Sequence, residues 1–203
     1  MIKRILKKTL RAFSEVVFNK WLINKIVSFY KIILEDKVRD AIGIASLNSV
    51  KHRGENCKFH GDVKVYYSDG LQLGDDVRVG FGSFFFALGG IFIGNNTQIS
   101  RNVVIYSANH SVDGEAIPYD DKYVLKPVTI GKSVWIGMNV MILPGVSIGD
   151  GAIIGMGTIV SKNIEAGEVV VGSSQRTIKH RDLIKYQILD DQEQHFGKLW
   201  PKR

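Results

Sequence analysis

The side chains able to do chemistry are few. The chain of 203 residues holds five histidines and one cysteine. His110 stands in "SANHSVDGEAIPYDDKYVLKP", Ser107–Pro127, beside Asp113, Tyr119, Asp120 and Asp121. Imidazole titrates near neutrality and suits proton transfer, although a lone histidine in a loop is more often just a solvated side chain. A carboxylate from the same stretch would be a natural group to orient it, and the sequence does not choose among them. Cys57 has no evident partner and reads as a small buried or half-buried hydrophobe. The other histidines, His52, His60, His180 and His195, are not spaced as a three-histidine metal site, so no metal is expected.

The elements that must hold His110 follow a rule of six. From Val128 a small or branched residue returns every six positions, as Val134, Val140, Val146, Ala152 and Thr158. Two residues after each comes a second, from Ile130 and Ile136 to Val160. A short strand and a tight turn repeated every six residues close a triangular coil in about eighteen, with both columns facing inward. Glycines after the inward Ile, such as Gly131, Gly137, Gly149 and Gly155, relieve crowding at the corners. The same grammar runs back through "IFIGNNTQIS" and "LQLGDDVRVG", with two-residue slips at "ALGGIF" and "YSDGLQ". Ser107–Pro127 interrupts it, and an insertion in a solenoid projects as a loop. The fold class is mainly β: a parallel β-helix over residues 51–172, with the insertion at 107–127.

Two flanks differ from this body. Residues 1–50 read as helical, with Ile2, Leu6, Leu10, Phe13 and Val17 spaced by three or four. Residues 173–203 end in a short helix expected to cap the solenoid. Residues 1–31 carry eight basic side chains against Glu15 alone, so the whole formal charge of +7 sits there and the rest balances. The high pI is thus no argument for nucleic acid binding. A basic amphipathic helix suits either an anionic membrane surface, over residues 1–35, or packing within the protein. No signal peptide is evident and no window reaches the ~18 apolar residues of a membrane span, so a cytoplasmic protein is expected.

The stretch "IGKSVWIGMNVMILPGVSIGDGAIIGMGTIVSKNI", with "YSANHS" and "IPYDD" before it, resembles the hexapeptide-repeat acyltransferases, in particular the sugar O-acetyltransferase branch. The resemblance spans about residues 57–180. It implies a left-handed β-helix, a homotrimer with sites between subunits, acetyl-CoA as co-substrate and a sugar or glycan acceptor in surface polysaccharide synthesis. It places His110 as general base and the Met138 N–H against the oxyanion. It puts Trp135 beside acetyl-CoA and acceptor. Acetyl-CoA would lie along Met138, Gly155, Met156, Ser161, Lys162, Arg176 and Lys179, with Lys162 and Arg176 serving its phosphates. Asn109, Asp113 and Tyr119 are expected near the acceptor. "GSSQR" at 172–176 keeps the cation of the usual pattern and changes its turn. Gly80 and Gly82 stand where galactoside-type enzymes carry Asn, so a galactoside acceptor is not implied. Of the aromatics Phe81, Phe84, Phe85 and Phe86, alternate residues are expected in the core or at a subunit contact, with a sugar-stacking surface as the other reading. Acetylation of an amino-sugar nitrogen or a small xenobiotic, and a β-helix acting only as scaffold, are the alternatives.

Overall fold

The computed structural model describes residues 2–30, 35–172 and 182–192. Its body is a stack of triangular coils. The first holds β1 (His52–Arg53), β2 (Lys58–His60) and β3 (Lys64–Tyr66). The second holds β4 (Leu71–Leu73), β5 (Arg78–Gly80) and β6 (Phe84–Phe86); the third holds β7 (Ile91–Ile93), β8 (Gln98–Ile99) and β9 (Val104–Tyr106). After an arm made of β10 (Ala108–His110) and β11 (Tyr123–Leu125) come β12 (Val128–Ile130), β13 (Trp135–Ile136) and β14 (Met141–Ile142). Then follow β15 (Ser147–Ile148), β16 (Ile153–Ile154) and β17 (Ile159–Val160), with β18 (Val169–Val170) beginning a last turn. Three parallel sheets result: β1-β4-β7-β12-β15, β2-β5-β8-β13-β16-β18, and β3-β6-β9-β14-β17.

The six-residue rule is a rule about burial. Val134, Ile136, Val140, Ile142, Ala152 and Ile154 are buried, and they form one continuous core with Phe59, Phe85 and Ile105. Corners close by residues in the left-handed region, which Asn and Asp tolerate better than other side chains. Asn56, Asp76, Asn96 and Ser133 have φ of 51°, 59°, 58° and 54° and stack above one another at the corner after the first sheet. Gly131 has a different reason to lack a side chain: a Cβ there would lie 2.3 Å from Asp150 Oδ1 of the next coil.

Coil length is not constant. Lys58 pairs with Arg78, twenty residues on, whereas Trp135 pairs with Ile153, eighteen on. The extra pair lies at Tyr67–Gly70 and again at Ala87–Gly90, both between the third sheet and the first. The insertion leaves from that same corner one coil later. One edge of the prism therefore carries every departure from the repeat.

Helix α1 (Ile2–Phe29) and helix α2 (Glu35–Asn48) make up the helical N-terminal region. Helix α2 covers the open face of the first coil. Its Gly43 is buried against the backbone of β2, where a Cβ would lie 2.2 Å from Phe59 O, and Val50 just beyond it enters the core. In α1 every side chain from Asn19 to Tyr30 is exposed. Helix α3 (Leu183–Asp191) was expected over the far end of the solenoid. Its described contact falls instead on the insertion, where Lys185 Nζ donates to the Asp113 carbonyl at 3.2 Å.

Candidate active site

The insertion is a built arm rather than a polar loop. Ser107, fully buried, roots it: its Oγ donates to Phe86 O at 2.8 Å and accepts the Gly89 N–H at 2.9 Å. Lys126 N–H returns to Ser107 O at 2.8 Å, so both ends are fixed in one coil. Between them β10 and β11 pair antiparallel, with Ala108 opposite Leu125 and His110 opposite Tyr123. The arm also has its own small interior of Ala116, Ile117 and Asp120.

Asp120 organises the tip. It is 2% exposed, and its carboxylate accepts the N–H of Glu115 at 3.0 Å and of Lys122 at 2.9 Å. These backbone donors hold its carboxyl below the ordinary carboxylate range, Lys122 adding a smaller attraction from its ammonium. The turn so formed aims the Asp120 carbonyl at His110, whose Nδ1 lies 3.1 Å from it. A carbonyl oxygen only accepts, so Nδ1 carries the hydrogen and Nε2 the lone pair. The group that orients His110 is thus the main chain of Asp120, while its carboxylate shapes the turn. The imidazole is half-buried between two rings, Tyr119 at 3.8 Å and Tyr123 at 4.3 Å between centroids. Asn109 accepts the His110 backbone N–H through Oδ1 at 3.0 Å and is tied to the strand, and Asp113 is exposed beyond it.

A second group of the expected residues stacks at the corner between the second and third sheets. Met138 lies there, with Gly155 and Met156 one coil above; Gly157 N–H reaches Met138 O at 2.8 Å. Among the described residues the Met138 N–H has no backbone acceptor. Arg101 Nε contacts Met138 Sδ at 3.0 Å, and its guanidinium lies over the Phe81 ring at 5.6 Å, as does that of Arg39 at 5.4 Å. Trp135 stands on the second sheet, 57% exposed between buried Val134 and Ile136.

Ser161 and Lys162 lie at the corner from which the arm departs, two coils further on. They line a groove of about 300 Å³ with Thr158, Asn163, Val170 and Val171. Arg176 and Lys179 lie outside the described residues. Within one chain, then, His110 and Lys162 share one edge of the prism, and Met138, Gly155 and Met156 share another. Cys57 is half-buried and its thiol donates to Gly74 O at 3.1 Å, away from both groups. Among the described residues no three His, Cys, Asp or Glu side chains converge as metal ligands.

Sequence reasoning missed three of these features. Tyr123 had a signal, since "KYVLK" alternates as a strand does. The Asp120 carbonyl and Arg101 had none, because both act through contacts set by the fold.

A parallel β-helix of six-residue steps with a histidine-bearing arm inserted at one edge defines the class by its fold. The comparisons give the family. The model for the bacterial transferase hexapeptide, six repeats, matches residues 127–162. The galactoside O-acetyltransferase of Escherichia coli is 32% identical over 143 residues, 70% of this chain and 66% of that protein. A maltose O-acetyltransferase from Clostridium difficile superposes with a TM-score of 0.53 at 31% identity, over 65% of this chain and 68% of its own. A galactoside acetyltransferase in complex with coenzyme A gives 0.57 at 33%, over 65% and 67%. The chain belongs to the hexapeptide-repeat acetyltransferases. It spans 66% of the length of each of the first two curated relatives it matches.

Proposed function

We propose that this protein transfers the acetyl group of acetyl-CoA to a sugar hydroxyl, with His110 as the general base. The observation that carries the reading is the Nδ1–H bond to Asp120 O, which sets the tautomer with its lone pair on Nε2. The acceptor hydroxyl loses its proton to Nε2 as its oxygen adds to the thioester carbonyl. The Met138 N–H meets the oxygen that becomes negative. Collapse expels the CoA sulfur, which leaves as thiol with the proton held on Nε2. No acyl-enzyme is needed, in keeping with the position of Cys57.

The residues fit the two substrates. Trp135 offers an exposed ring for the acyl chain and acceptor, and Gly155, Met156, Ser161 and Lys162 line the upper coils along which acetyl-CoA would lie. By the resemblance Lys162 and Arg176 would serve its phosphates, Arg176 and Lys179 lying outside the described residues. Asn109, Asp113 and Tyr119 stand next to His110 for the acceptor. Because His110 and Met138 occupy different edges, the complete site pairs the arm of one copy with the Met138 edge of another. A homotrimer supplies three such pairings.

The acceptor on this reading belongs to a surface polysaccharide or its lipid-linked precursor, handled at the cytoplasmic face of a membrane. The N-terminal net charge of +7 and the exposed Trp21, Ile23, Ile26 and Phe29 of α1 support a peripheral contact with anionic lipid. No described helix is long and apolar enough to cross a membrane.

Thiol release from acetyl-CoA, followed with a panel of sugars and sugar nucleotides, tests the function. Acceptor-dependent release that collapses in His110→Ala is the expected result. Release that survives the substitution would remove His110 from its role, and failure to bind coenzyme A would remove the transferase reading.

A further inference from the structure

Helix α3 lies against the tip of the arm. Asp182 caps it: its Oδ1 accepts the N–H of Ile184 and of Lys185, each at 3.0 Å. Asp182, Lys185 and Leu189 recur at steps of three and four, so they share one side of the helix. That side faces Ala116 and Ile117 of the arm, and the space left between them is about 20 Å³. Such a gap holds about one water, so the two surfaces are seated rather than merely near. Lys185 Nζ adds a polar tie, donating to the Asp113 carbonyl at 3.2 Å. Ile184 and Ile188, on the other side of α3, are exposed.

The tip needs such support. Its strands end at the pair His110 and Tyr123, with one further bond from the Ser111 N–H to Lys122 O at 3.0 Å. A two-stranded ribbon is marginal in water on its own. Beyond it, residues 112–121 bury two apolar side chains, Ala116 and Ile117, at 2% and 3% exposure. Two small side chains do not offset the entropy of ordering ten residues. The cover supplied by α3 makes up part of the difference.

From that contact a short path leads to His110. Asp113, whose carbonyl Lys185 holds, precedes Gly114. Gly114 stands so close to the Asp120 carboxylate that a Cβ would lie 2.7 Å from its Cγ. Glu115, next in line, gives its N–H to the same carboxylate at 3.0 Å. Residues 113–115 and Asp120 therefore move as one piece. The carbonyl of Asp120 belongs to that piece, and it fixes the hydrogen on His110 Nδ1.

We infer that α3 is a strap that holds the tip of the arm in the form that sets the His110 tautomer, with Lys185 as a positioning residue. Released from Lys185, residues 113–115 shift, and the Asp120 carbonyl leaves the ring. The hydrogen then passes to Nε2, the nitrogen that must be bare to accept a proton. The consequence for catalysis rests on the reading of His110 as the base. The consequence for the tautomer does not.

The test uses the full chain with histidine labelled in nitrogen-15, whose imidazole shifts distinguish a hydrogen on Nδ1 from one on Nε2. The His110 signals are assigned by their loss in His110→Ala. Wild type should show the Nδ1–H form of the neutral ring. Lys185→Met keeps the length of the side chain and removes the donor. It should move His110 toward the Nε2–H form and speed exchange of the Glu115 and Lys122 amides about 3- to 10-fold, the scale of one lost hydrogen bond. Leu189→Ala, which thins the apolar end of the contact, should act in the same direction. Lys185→Arg, which still donates, should restore the wild-type signals, and Ile184→Ala should leave them unchanged. With acetyl transfer as the readout, Lys185→Met should lower kcat about 3- to 10-fold and leave KM for acetyl-CoA within about 2-fold.

An unchanged tautomer in Lys185→Met overturns the inference, even with faster amide exchange, because α3 would then support the arm without positioning His110. A wild-type ring protonated on Nε2 overturns it as well. A tautomer that moves while kcat does not keeps the strap and removes His110 as the base. Should no acceptor be turned over, the nitrogen shifts and amide exchange still decide for or against the strap.

Discussion

The solenoid and its arm are built on opposite principles. In the coils each residue has a stacked equivalent, and a single pattern decides burial: Val134, Val140 and Val146 do the same work at successive corners. In the arm nothing repeats. Its shape depends on individual bonds such as those of Asp120 to the Glu115 and Lys122 amides, and on Ser107 at the root. The repeat supplies a rigid frame whose stability is spread over many equivalent contacts. On the proposed reading the arm concentrates chemistry in a segment where one side chain has consequences no neighbour can share. Stability and activity should therefore separate under mutation.

The sharpest break is His110→Ala. Loss of a positioned base lowers kcat by ~100- to 10,000-fold. The thermal midpoint should hardly move, since the ring is half-buried and outside the core. Thiol-release kinetics beside thermal melting would show both halves of that statement.

The converse change lies in the body. Ile136→Ala empties a fully buried site and should cost ~2–5 kcal/mol in denaturant unfolding. Activity of the fraction still folded should stay close to wild type. A large fall in kcat with little loss of stability would show that frame and arm are not separable.

Asp120→Asn is an intermediate case. It weakens the acceptor for two amides and should loosen the turn that aims the carbonyl at His110. Misplacement of a catalytic group by about 1 Å costs up to ~100-fold, so a fall of about 10-fold in kcat is expected, with the melting of the body unchanged. The pH dependence follows from the lowered carboxyl. Its stabilising contribution is fully present above the ordinary value of 3.8 and is lost as pH falls through the lower folded value. Hydrogen exchange of the Glu115 and Lys122 amides should therefore accelerate on acidification below that value in the wild type, and Asp120→Asn should abolish the dependence.

The smallest effect on catalysis should come from removing residues 1–30. Transfer to a soluble acceptor should be nearly unaltered, whereas partition onto anionic vesicles should fall and the remaining binding lose its salt dependence. Equal partition with and without the segment would end the case for lipid contact.

Much of the frame was legible in the sequence because its rule is local. Inward columns, corner glycines and the place of the interruption all follow from a six-residue step, which needs no knowledge of distant contacts. Trp135 was correctly read as outward between two buried neighbours for the same reason. The resemblance carried His110, though it left its orienting group open among several carboxylates. For the aromatic run the sequence left core, subunit contact and sugar-stacking surface open, and the structure buries Phe85 while Phe81 stays exposed.

What the sequence determined alone is therefore the period, and with it the β-helix, its core and the insertion that bears His110. Only the tertiary structure decided that a main-chain carbonyl ten residues from His110 sets its tautomer. Only the tertiary structure covered the first coil with α2 and laid α3 against the arm. The physical reason is one of range. A turn and an alternating strand are settled by residues a few positions apart. Which side chains meet across coils depends on the accumulated length of each coil, and two extra residues at one corner are enough to shift every contact above it.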